Sequence, residues 1–543
     1  MTDQSYIYIV QAIKGPEGSP ASLPQKVNSS VVPPPPVLPA GEGMASIISA
    51  LLKVTAKYFS MEGILVFLVV LVLVKYLSDV RPKNFPPGPF PLPLIGNVHN
   101  INIRNPVGSF SKMHEKYGDV STIYLLSEAC ILLSGYKSFK EAFVEQADIF
   151  AERAYYPLND RLSRGLGLIS SSGHAWSQQR RFAIAVLKHF GAGKKTMEES
   201  ILQESRYLCE ALQAQQGLSF DPDRILSNAV ANIICSLVFG RRFEYNDQQL
   251  HQILMYFDDV VQLPANAWGQ LYNRFPTLMS WLPGKHQTAF SSLAKIKHFI
   301  QEEIQRHKQD RNPSNPRDYI DCYLEEIEKC KDSRAQFTEE NLVFCVVDLF
   351  AAGTETTSNT LLWTLLYMAK YPEVQEKVHA EVDQVIGRAR QPSMTDRTLM
   401  PYTYAVIHEV LRAANALNIT PPRVANRDTT VSGYLIPKGM TVFPMLRPIM
   451  QDKNEFSTPD QFNPGHFLDE NGKFLKKESF IPFSIGKRTC PGEQMVHMEF
   501  FLFLTCMMQS FSFQAPEGQT VMLEGTVGIT TAPKPFQIRA IPR

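Results

Sequence analysis

The sequence lacks an excess of charge of either sign. It contains 54 lysines and arginines against 53 aspartates and glutamates, a formal net charge of +1 at pH 7. A chain this close to neutrality has no general electrostatic attraction for polyanions, so we expect no nucleic-acid partner. Its 543 residues are ample for a large core, and we find no internal repeat.

The sequence also lacks a paired cysteine framework. Its eight cysteines are scattered, and most lie in apolar runs such as "NIICSLVF" and "FLFLTCMM". This usage is typical of free, buried thiols in a reducing compartment. Cys490 differs, because it lies in "PFSIGKRTCPGE" just after Lys487 and Arg488. No second Cys or His follows at zinc-ligand spacing. Two interpretations of Cys490 remain. It could be one half of a disulfide, or it could be a thiolate ligand, whose negative charge the nearby positive charge stabilises.

One long hydrophobic run lies near the N-terminus, "MEGILVFLVVLVLVKYL" at residues 61–77. With its apolar flanks it approaches bilayer length, so we predict an uncleaved membrane anchor within residues 44–81. A signal-peptide core is the alternative, but no small-residue cleavage site follows. Lys75, Arg81 and Lys83 after the run favour a cytosolic position for the rest of the chain, although two lysines before it weigh against that orientation.

The regions on either side of this run differ in composition. Residues 1–43 are polar and proline-rich, and we predict a disordered tail. Residues 82–543 are predicted to form one large domain, which "FPPGPFPLPLIGN" would join to the anchor as a stiff connector. Within it, "VFCVVDLFAAGTETTSNTLLWTLLYMAK" predicts a long helix and "GYLIPKGMTVFPM" predicts strands around a turn at Gly439. The expected fold is mainly α with small β-sheets.

The predicted long helix contains "AAGTETTS", an unusual interior. Ala352 and Gly353 remove side-chain bulk, and Glu355 places an acid beside the Thr356 hydroxyl. Glycine and threonine are poor helix formers, so the segment either opens space for a ligand or lets a hydroxyl compete for a backbone carbonyl.

Two shorter patterns carry charge on helices. "EVLR" places Glu409 and Arg412 at i and i+3, a common helix pair. "WSQQR" places Trp176 and Arg180 one helical turn apart. The second pattern suits an amphipathic helix, or a flat anionic ligand held by the indole N–H and the guanidinium.

Together these four motifs resemble the cytochrome P450 family. "FSIGKRTCPG" fits its haem-binding signature, Phe-x-x-Gly-x-Arg-x-Cys-x-Gly, at every fixed position. "AGTETT", "EVLR" and "WSQQR" are similar to its oxygen-activation, Glu-x-x-Arg and Trp-x-x-x-Arg motifs, and they occur in the family's order. Phrases such as "NFPPGPFPLPLIGN" and "FIPFSIGKR" resemble the vertebrate microsomal family 2, nearest its subfamily J. The resemblance covers about residues 60–543 and implies the P450 fold, with a long central helix over haem and an N-terminal transmembrane helix.

The resemblance also implies roles for individual residues. Cys490 would be the thiolate ligand of the iron in haem b. Thr356 and Glu355 would relay protons, while Ala352 and Gly353 would open a groove for oxygen. The other implied haem contacts are Arg153, Trp176, Arg180, Arg423, Phe483, Gly486, Arg488 and Gly492. Glu409 and Arg412 would be structural. The expected substrate pocket is Tyr155, Tyr156, Leu158, Phe344, Val347, Phe350, Ile419, Thr420 and Ile529.

The implied activity is a monooxygenase at the endoplasmic reticulum membrane, facing the cytosol. The mostly apolar pocket suits polyunsaturated fatty acids such as arachidonate, or lipophilic xenobiotics. No flavin or nicotinamide fingerprint is present, so NADPH would act indirectly, through NADPH–cytochrome P450 reductase, with cytochrome b5 as a second candidate donor. Lys188, Lys194, Lys195 and Lys487 would offer a basic docking face or simply a solvated surface. The aromatic-rich residues 267–284 would enter membrane lipid, or form a buried helix pair.

The sequence departs from the family pattern at three places. His466 replaces an arginine that many relatives use to complete a triad with Glu-x-x-Arg. Leu417-Asn418 replaces a Val/Ile-Pro step, and Arg447-Pro448 replaces a small and a β-branched residue. The unusual residues 413–420 and 447–448 keep one alternative open, a non-enzymatic haem-thiolate binding or sensor protein, although the intact motifs argue against it. A peroxide-rearranging isomerase on the same scaffold is a second alternative, against which the intact "GTET" argues.

Overall fold

The computed structural model describes residues 49, 61–78, 84–102, 105–191 and 195–543. The chain divides into two units, Met1–Asp79 and Val80–Arg543. In the first unit, helix α1 spans Met61–Ser78 and exposes a row of large apolar side chains. Among the described residues, no helix combines the length and the apolar character needed to cross a membrane. The predicted tail, residues 1–43, lies outside the described residues.

The second unit is mainly helical. Its helices are α2 (Pro106–Tyr117), α3 (Tyr136–Lys140), α4 (Pro157–Ser163), α5 (Gly173–Val186), α6 (Lys195–Gln213), α7 (Asp223–Phe239), α8 (Gln248–Gln262), α9 (Ala267–Arg274), α10 (Pro276–Trp281), α11 (Lys285–Asp310), α12 (Tyr319–Lys329), α13 (Glu339–Lys370), α14 (Pro372–Val385), α15 (Pro401–Ala414), α16 (Leu446–Met450) and α17 (Glu493–Ser510). The predicted long helix is α13, which has 32 residues and is buried along most of its length.

The strands are short and form four small sheets. They are β1 (Val120–Leu125), β2 (Glu128–Leu133), β3 (Glu152–Arg153), β4 (Ser219–Phe220), β5 (Arg423–Val424), β6 (Thr429–Val431), β7 (Tyr434–Ile436), β8 (Thr441–Pro444), β9 (Phe511–Gln514), β10 (Gly525–Val527), β11 (Thr531–Pro533) and β12 (Ile538–Pro542). The largest sheet has the order β1-β2-β8-β5-β3. A mainly α fold with small sheets is therefore confirmed.

Helix α13 begins and ends where its sequence carries suitable signals. The Thr338 side chain accepts a hydrogen bond from the Asn341 N–H at the N-terminus, and Glu339 and Glu340 lie in the first turn. Acidic side chains there are stabilised by the helix dipole. Lys370 lies in the last turn, and Pro372 opens the next helix. The result is a central helix that packs against α7, α11, α15 and β11.

Two predicted segments have tertiary contacts that the sequence did not indicate. The strands around Gly439, which has φ +82°, are present, but they do not pair with each other. Instead β7 pairs with β6, and β8 pairs with β2 and β5. The proline connector lies along β1, where the Thr122 N–H and hydroxyl donate to the carbonyls of Pro87 and Pro86 at 2.7 and 2.9 Å. Proline has no N–H but keeps its carbonyl acceptor, which explains this one-sided pairing.

Candidate functional site

The Cys490 loop presents one thiol at the N-terminus of α17. The Cys490 N–H donates to the Phe483 carbonyl at 2.9 Å, and the helix begins three residues later at Glu493. Burial raises the pKa of the thiol, whereas the backbone N–H groups of Gly492 and Glu493 and the Arg180 guanidinium oppose that rise. A helix N-terminus and a nearby cation both favour a thiolate. The loop is therefore suited to a thiolate ligand.

Gly486 shapes this loop in a way that the sequence did not reveal. Its φ is +79°, and a Cβ there would lie 1.7 Å from the Phe143 carbonyl oxygen. The missing side chain therefore admits the backbone of a neighbouring segment, rather than a ligand. Gly492 has an ordinary φ of −90°, and a Cβ there would lie 3.8 Å from the Cys490 Sγ. Phe483 stacks edge-on against His497, with ring centroids 5.4 Å apart.

Four arginines and one tryptophan converge next to the loop. Arg153 on β3 is the register partner of Arg423 on β5. Arg488 lies 3.6 Å from the Trp176 ring centroid, and the Arg180 guanidinium donates to the Thr489 carbonyl. Burial, followed by the charges of Arg153 and Arg423, lowers the pKa of Arg488 to about 7. Like charges opposite each other in a sheet are unfavourable. A bound anion would therefore stabilise this group of arginines.

The donor set fits a ligand with carboxylates. In the part of the chain that the structure describes, Trp176 Nε1 and Arg423 Nε are buried and have no hydrogen-bond partner. Arg488 donates to the carbonyls of Ala151, Leu168 and Ser171 at 2.8, 3.4 and 2.7 Å. Arg153 donates to the carbonyls of Ile169 and Pro421, both at 2.8 Å. Guanidinium and indole N–H groups bind carboxylates well. Together with a thiol at one side, these residues fit haem b, which carries two propionates.

A buried carboxylate that the sequence analysis missed holds the loop beside these arginines. Asp348 on α13 accepts hydrogen bonds from the Leu168 and Ile169 N–H groups at 2.6 and 2.8 Å. Burial raises its pKa to about 6, against the effect of those bonds. The same loop supplies the Ile169 carbonyl to Arg153. Its sequence signal was an acid in an otherwise apolar helix stretch, "VVDLF".

The pair Glu409–Arg412 on α15 is fully buried and forms a triad with His466. Arg412 donates from Nε and Nη2 to the two Glu409 oxygens at 2.8 and 2.7 Å. The Thr458 N–H donates to His466 Nε2, so the ring proton is on Nδ1 and is donated to Glu409 Oε2 at 3.1 Å. Arg412 also donates to the carbonyls of Met450, Pro459 and Gln461. Histidine therefore takes the third place of the triad by hydrogen bonding.

On the other side of the site, the Thr356 hydroxyl bonds within its own helix. It donates to the Ala352 carbonyl at 2.6 Å, which is the competition for a backbone carbonyl that the sequence allowed. Glu355 is bonded elsewhere, because its Oε1 accepts a hydrogen bond from the Thr530 hydroxyl at 2.6 Å. Burial raises the pKa of Glu355, and the Thr530 bond opposes this. A Cβ at Gly353 would lie 2.5 Å from Ile234 on α7, so that space belongs to helix packing.

The predicted pocket residues occupy different settings. Phe350 stacks on Phe257 at 4.6 Å, and Phe344 lies under Lys297. Leu158 is buried in a small cluster of α4, α9 and α10 side chains, and Val347 is buried in the main core. Tyr155, Tyr156 and Arg153 line a cavity of about 130 Å³. Ile419 forms an isolated β-bridge with Met445. Thr420 is buried, and Ile529 is partly exposed.

The predicted surfaces are described in part. Lys487 pairs with Asp148, and Lys195 lies 3.8 Å from Glu199, while Lys194 lies outside the described residues. Residues 267–284 form α9 and α10. Leu271, Phe275, Leu278 and Trp281 are exposed there, Trp281 by 85%. They do not form a fully buried helix pair.

Known proteins share this sequence over most of its length. The family described as Cytochrome P450 matches residues 86–540. Cytochrome P450 2J1 of Oryctolagus cuniculus is 47% identical over 469 residues, 86% of this chain and 93% of that protein. Cytochrome P450 2J2 of Homo sapiens is 44% identical over 501 residues, 92% of this chain and 99% of that protein. Cytochrome P450 2J3 of Rattus norvegicus is 45% identical over 474 residues, 87% of this chain and 94% of that protein.

These relatives confirm the predicted likeness to family 2 and its subfamily J. They also agree with the geometry, in which a thiol and a group of buried arginines suit haem b. The chain therefore belongs to the cytochrome P450 family, as a haem monooxygenase.

Proposed function

We propose that this monooxygenase inserts one oxygen atom of O2 into lipophilic substrates, namely polyunsaturated fatty acids such as arachidonate and lipophilic xenobiotics. The observation that carries the proposal is the Cys490 thiol at the start of α17, beside four arginines of which Arg423 has a buried Nε without a partner among the described residues. Haem b supplies the oxygen-activating chemistry when bound, and a thiolate ligand favours O–O cleavage. Binding the cofactor, orienting it and moving protons would be the work of this chain's own side chains.

The arginine group would bind and orient the cofactor. Cys490 would be the iron ligand, and Arg488, Arg423 and Trp176 would donate to the propionates. Arg180 and Arg153 would add positive charge from the flanking elements. Because these groups are buried, each charge-assisted hydrogen bond they gain is stronger than it would be in water. Asp348 would keep the loop of residues 167–171 in place for this purpose.

Glu355 and Thr356 would hold and move the protons that oxygen activation consumes. The Thr356 hydroxyl would exchange its bond to the Ala352 carbonyl for one to the reacting oxygen, and Glu355 would supply the proton. Burial raises the pKa of Glu355, so the carboxyl holds a proton closer to neutral pH than an exposed glutamate. A positioned acid or base typically contributes about 10²–10⁴-fold to rate.

The substrate class follows from the apolar residues around α13 and the turn after α15. Ile419 and Ile529 would offer hydrocarbon surface, and Val347 and Phe350 now pack in the core. Thr420 would offer one buried hydroxyl that has no partner among the described residues. A mostly apolar lining with few polar groups suits a greasy chain with one polar end. The relatives of subfamily 2J support a lipophilic substrate.

Electrons would come from NADPH through NADPH–cytochrome P450 reductase, with cytochrome b5 as a second donor. Lys188, Lys195 and Lys487 would contribute to a basic docking face. Residues 44–81 would anchor the protein in the endoplasmic reticulum membrane, with the catalytic domain, residues 82–543, facing the cytosol. The exposed apolar side chains of α1 and of α9–α10 support contact with lipid.

The test is a carbon monoxide difference spectrum of the reduced protein, followed by turnover of arachidonate with NADPH and purified reductase. We expect a Soret band far to the red of a histidine-ligated haem, and oxygenated product that depends on NADPH. A red-shifted band with peroxide rearrangement but no NADPH-dependent product would favour an isomerase instead. A band with neither reaction would favour a haem-thiolate sensor.

The membrane position has its own test. Deletion of residues 1–80 should leave a haem protein that salt washes from membranes more easily. Glycosylation of an acceptor tag fused after Arg543 would place the domain in the lumen and overturn the proposed orientation.

A further inference from the structure

One face of α13 is tied to the turn between β10 and β11. Glu355, Asn359 and Trp363 are spaced four residues apart, so they lie on the same face of the helix. Thr530 Oγ1 donates to Glu355 Oε1 at 2.6 Å, and Asn359 Nδ2 donates to Thr530 Oγ1 at 3.2 Å. Trp363 Nε1 donates to the Thr531 carbonyl at 3.0 Å. Three consecutive turns of the helix therefore bind two adjacent residues, Thr530 in the turn and Thr531 at the start of β11.

The turn is held from its other side by residues that depart from the family pattern. Asn418 Nδ2 donates to Thr531 Oγ1 at 2.6 Å, and its Oδ1 accepts a hydrogen bond from Arg447 Nη1 at 3.3 Å. The Thr531 N–H donates to the Ala416 carbonyl at 2.9 Å. Thr530, Thr531 and Asn418 are all at most 9% exposed. The unusual Asn418 and Arg447 thus form one continuous hydrogen-bonded group with this turn.

The bonds at Thr530 determine which way its proton points. The Asn359 amide donates to the hydroxyl oxygen, so that oxygen acts there as an acceptor. The single hydroxyl proton is then free to be donated to Glu355. A hydrogen bond to a carboxylate stabilises its charged form. The Thr530 hydroxyl therefore acts on the one acid of the oxygen-activation motif.

We propose that Thr530 is a positioning residue for Glu355, and that Asn418 and Trp363 hold the turn that carries it. Thr530 sets both the direction of the Glu355 carboxylate and its readiness to give up a proton. This inference rests on the proposed proton delivery by Glu355 for its catalytic consequence, but not for the contact itself. The chain thus adds a second hydroxyl to the acid–hydroxyl pair of residues 355 and 356.

The charge of Glu355 also acts on a second acid, Asp258, on the neighbouring helix α8. Burial and then the Glu355 charge raise the pKa of Asp258 on α8 to about 6. The two carboxyl groups must be distinguished in any titration. Glu355→Gln and Asp258→Asn variants of the full-length haem protein assign their separate infrared carboxyl bands.

The test measures the infrared titration of Glu355 in the parent and in Thr530→Val, which has the same shape without the donor. We expect the Glu355 midpoint to move to higher pH in Thr530→Val and to stay near the parent in Thr530→Ser. Thr526→Val, on exposed Thr526 of the same hairpin, is the matched control and should change nothing. Haem content and the carbon monoxide spectrum are compared in every variant, so that misfolding is recognised.

The second readout is product formed per NADPH consumed. Thr530→Val should lower product per NADPH less than Glu355→Gln does. In a protein that already carries Glu355→Gln, adding Thr530→Val should lower product per NADPH no further. An unchanged Glu355 midpoint in Thr530→Val, or an equal loss in both backgrounds, overturns the positioning role. A shifted midpoint with full coupling in Glu355→Gln would support the positioning role and refute proton delivery by Glu355 instead.

Discussion

The two sides of the candidate haem site are built in different ways. On the cysteine side, the loop, the arginines and the Glu409–Arg412–His466 triad are held by backbone carbonyls and ion pairs. On the side of α13, Thr356 bonds to its own helix, and Glu355 depends on one hydroxyl from a distant turn. The first side is suited to holding a cofactor in one position, whereas the second can exchange its hydrogen bonds during a reaction.

The largest effect is expected from removing the thiol of the cysteine side. Cys490→Ala should abolish both the red-shifted carbon monoxide band and NADPH-dependent activity, because no other thiol lies in this loop. The measurement is the reduced carbon monoxide difference spectrum. Cys330→Ala, at a partly exposed thiol after α12, should keep the band. A band retained in Cys490→Ala would assign the ligand to another cysteine.

Breaking the triad should cost less, but it should act on stability. Arg412→Ala leaves Glu409 buried without its cation, which typically costs about 3–5 kcal/mol in the free energy of unfolding. Urea unfolding followed by fluorescence and haem absorbance would measure the loss. Arg334→Ala, which breaks an exposed pair with Asp332, should cost far less, because solvent screens that pair. Equal effects of the two substitutions would contradict a structural role for the triad.

A change on the α13 side should spare the fold and alter chemistry. Thr356→Ala should keep haem content and NADPH consumption but lower product per NADPH sharply, with peroxide released. Added hydrogen peroxide should partly restore product, because it bypasses reduction of oxygen. Thr360→Ala is the matched control, since Thr360 makes the same bond to the carbonyl four residues earlier, at 2.7 Å. If Thr356→Ala couples as well as the parent, the hydroxyl is only structural.

Per unit of pH, the smallest effect is expected from one buried acid on the cysteine side. Glu499 on α17 is 1% exposed, and neither of its carboxyl oxygens has a partner among the described residues. Burial raises its pKa to about 8. The folded protein then keeps a proton that the unfolded chain loses above about pH 4.5. Stability should therefore fall as pH rises towards 8, by up to about 1.4 kcal/mol per pH unit from this group.

Glu499→Gln checks this prediction, because an amide does not titrate. Thermal unfolding between pH 5 and pH 8 should lose more stability with rising pH in the parent than in the variant. Parallel pH profiles of the two proteins would mean that Glu499 titrates normally in the folded state.

Several elements could be predicted because their causes are local. Glu409 and Arg412 are three residues apart on one helix, so their bidentate pair follows from helical geometry. The 32-residue helix follows from its apolar run and its caps. The role of His466 was visible only as a substitution in a motif. Its proton position required the Thr458 N–H, which the fold brings to the ring.

Other features depended on contacts between distant parts of the chain. Thr530 is 175 residues from Glu355, and "GITT" carries no signal for that contact. The sequence predicted strands around a turn at Gly439, and these strands are present, but each pairs with a strand from elsewhere in the chain. The family resemblance implied that Gly486 leaves space for a ligand, but the Phe143 carbonyl occupies that space. Such pairings are decided by the packing of whole elements, which no short window of sequence contains.

Sequence alone was enough to identify the family, to propose Cys490 as the iron ligand and to find an acid beside a hydroxyl, because these depend on residue type and short spacing. The tertiary structure decided which groups those residues meet. It placed Arg153 opposite Arg423, gave Glu355 a donor from the turn between β10 and β11, and joined Asn418 to Arg447. The reason is physical: side-chain chemistry is local, whereas burial and hydrogen-bond partners depend on how distant segments pack.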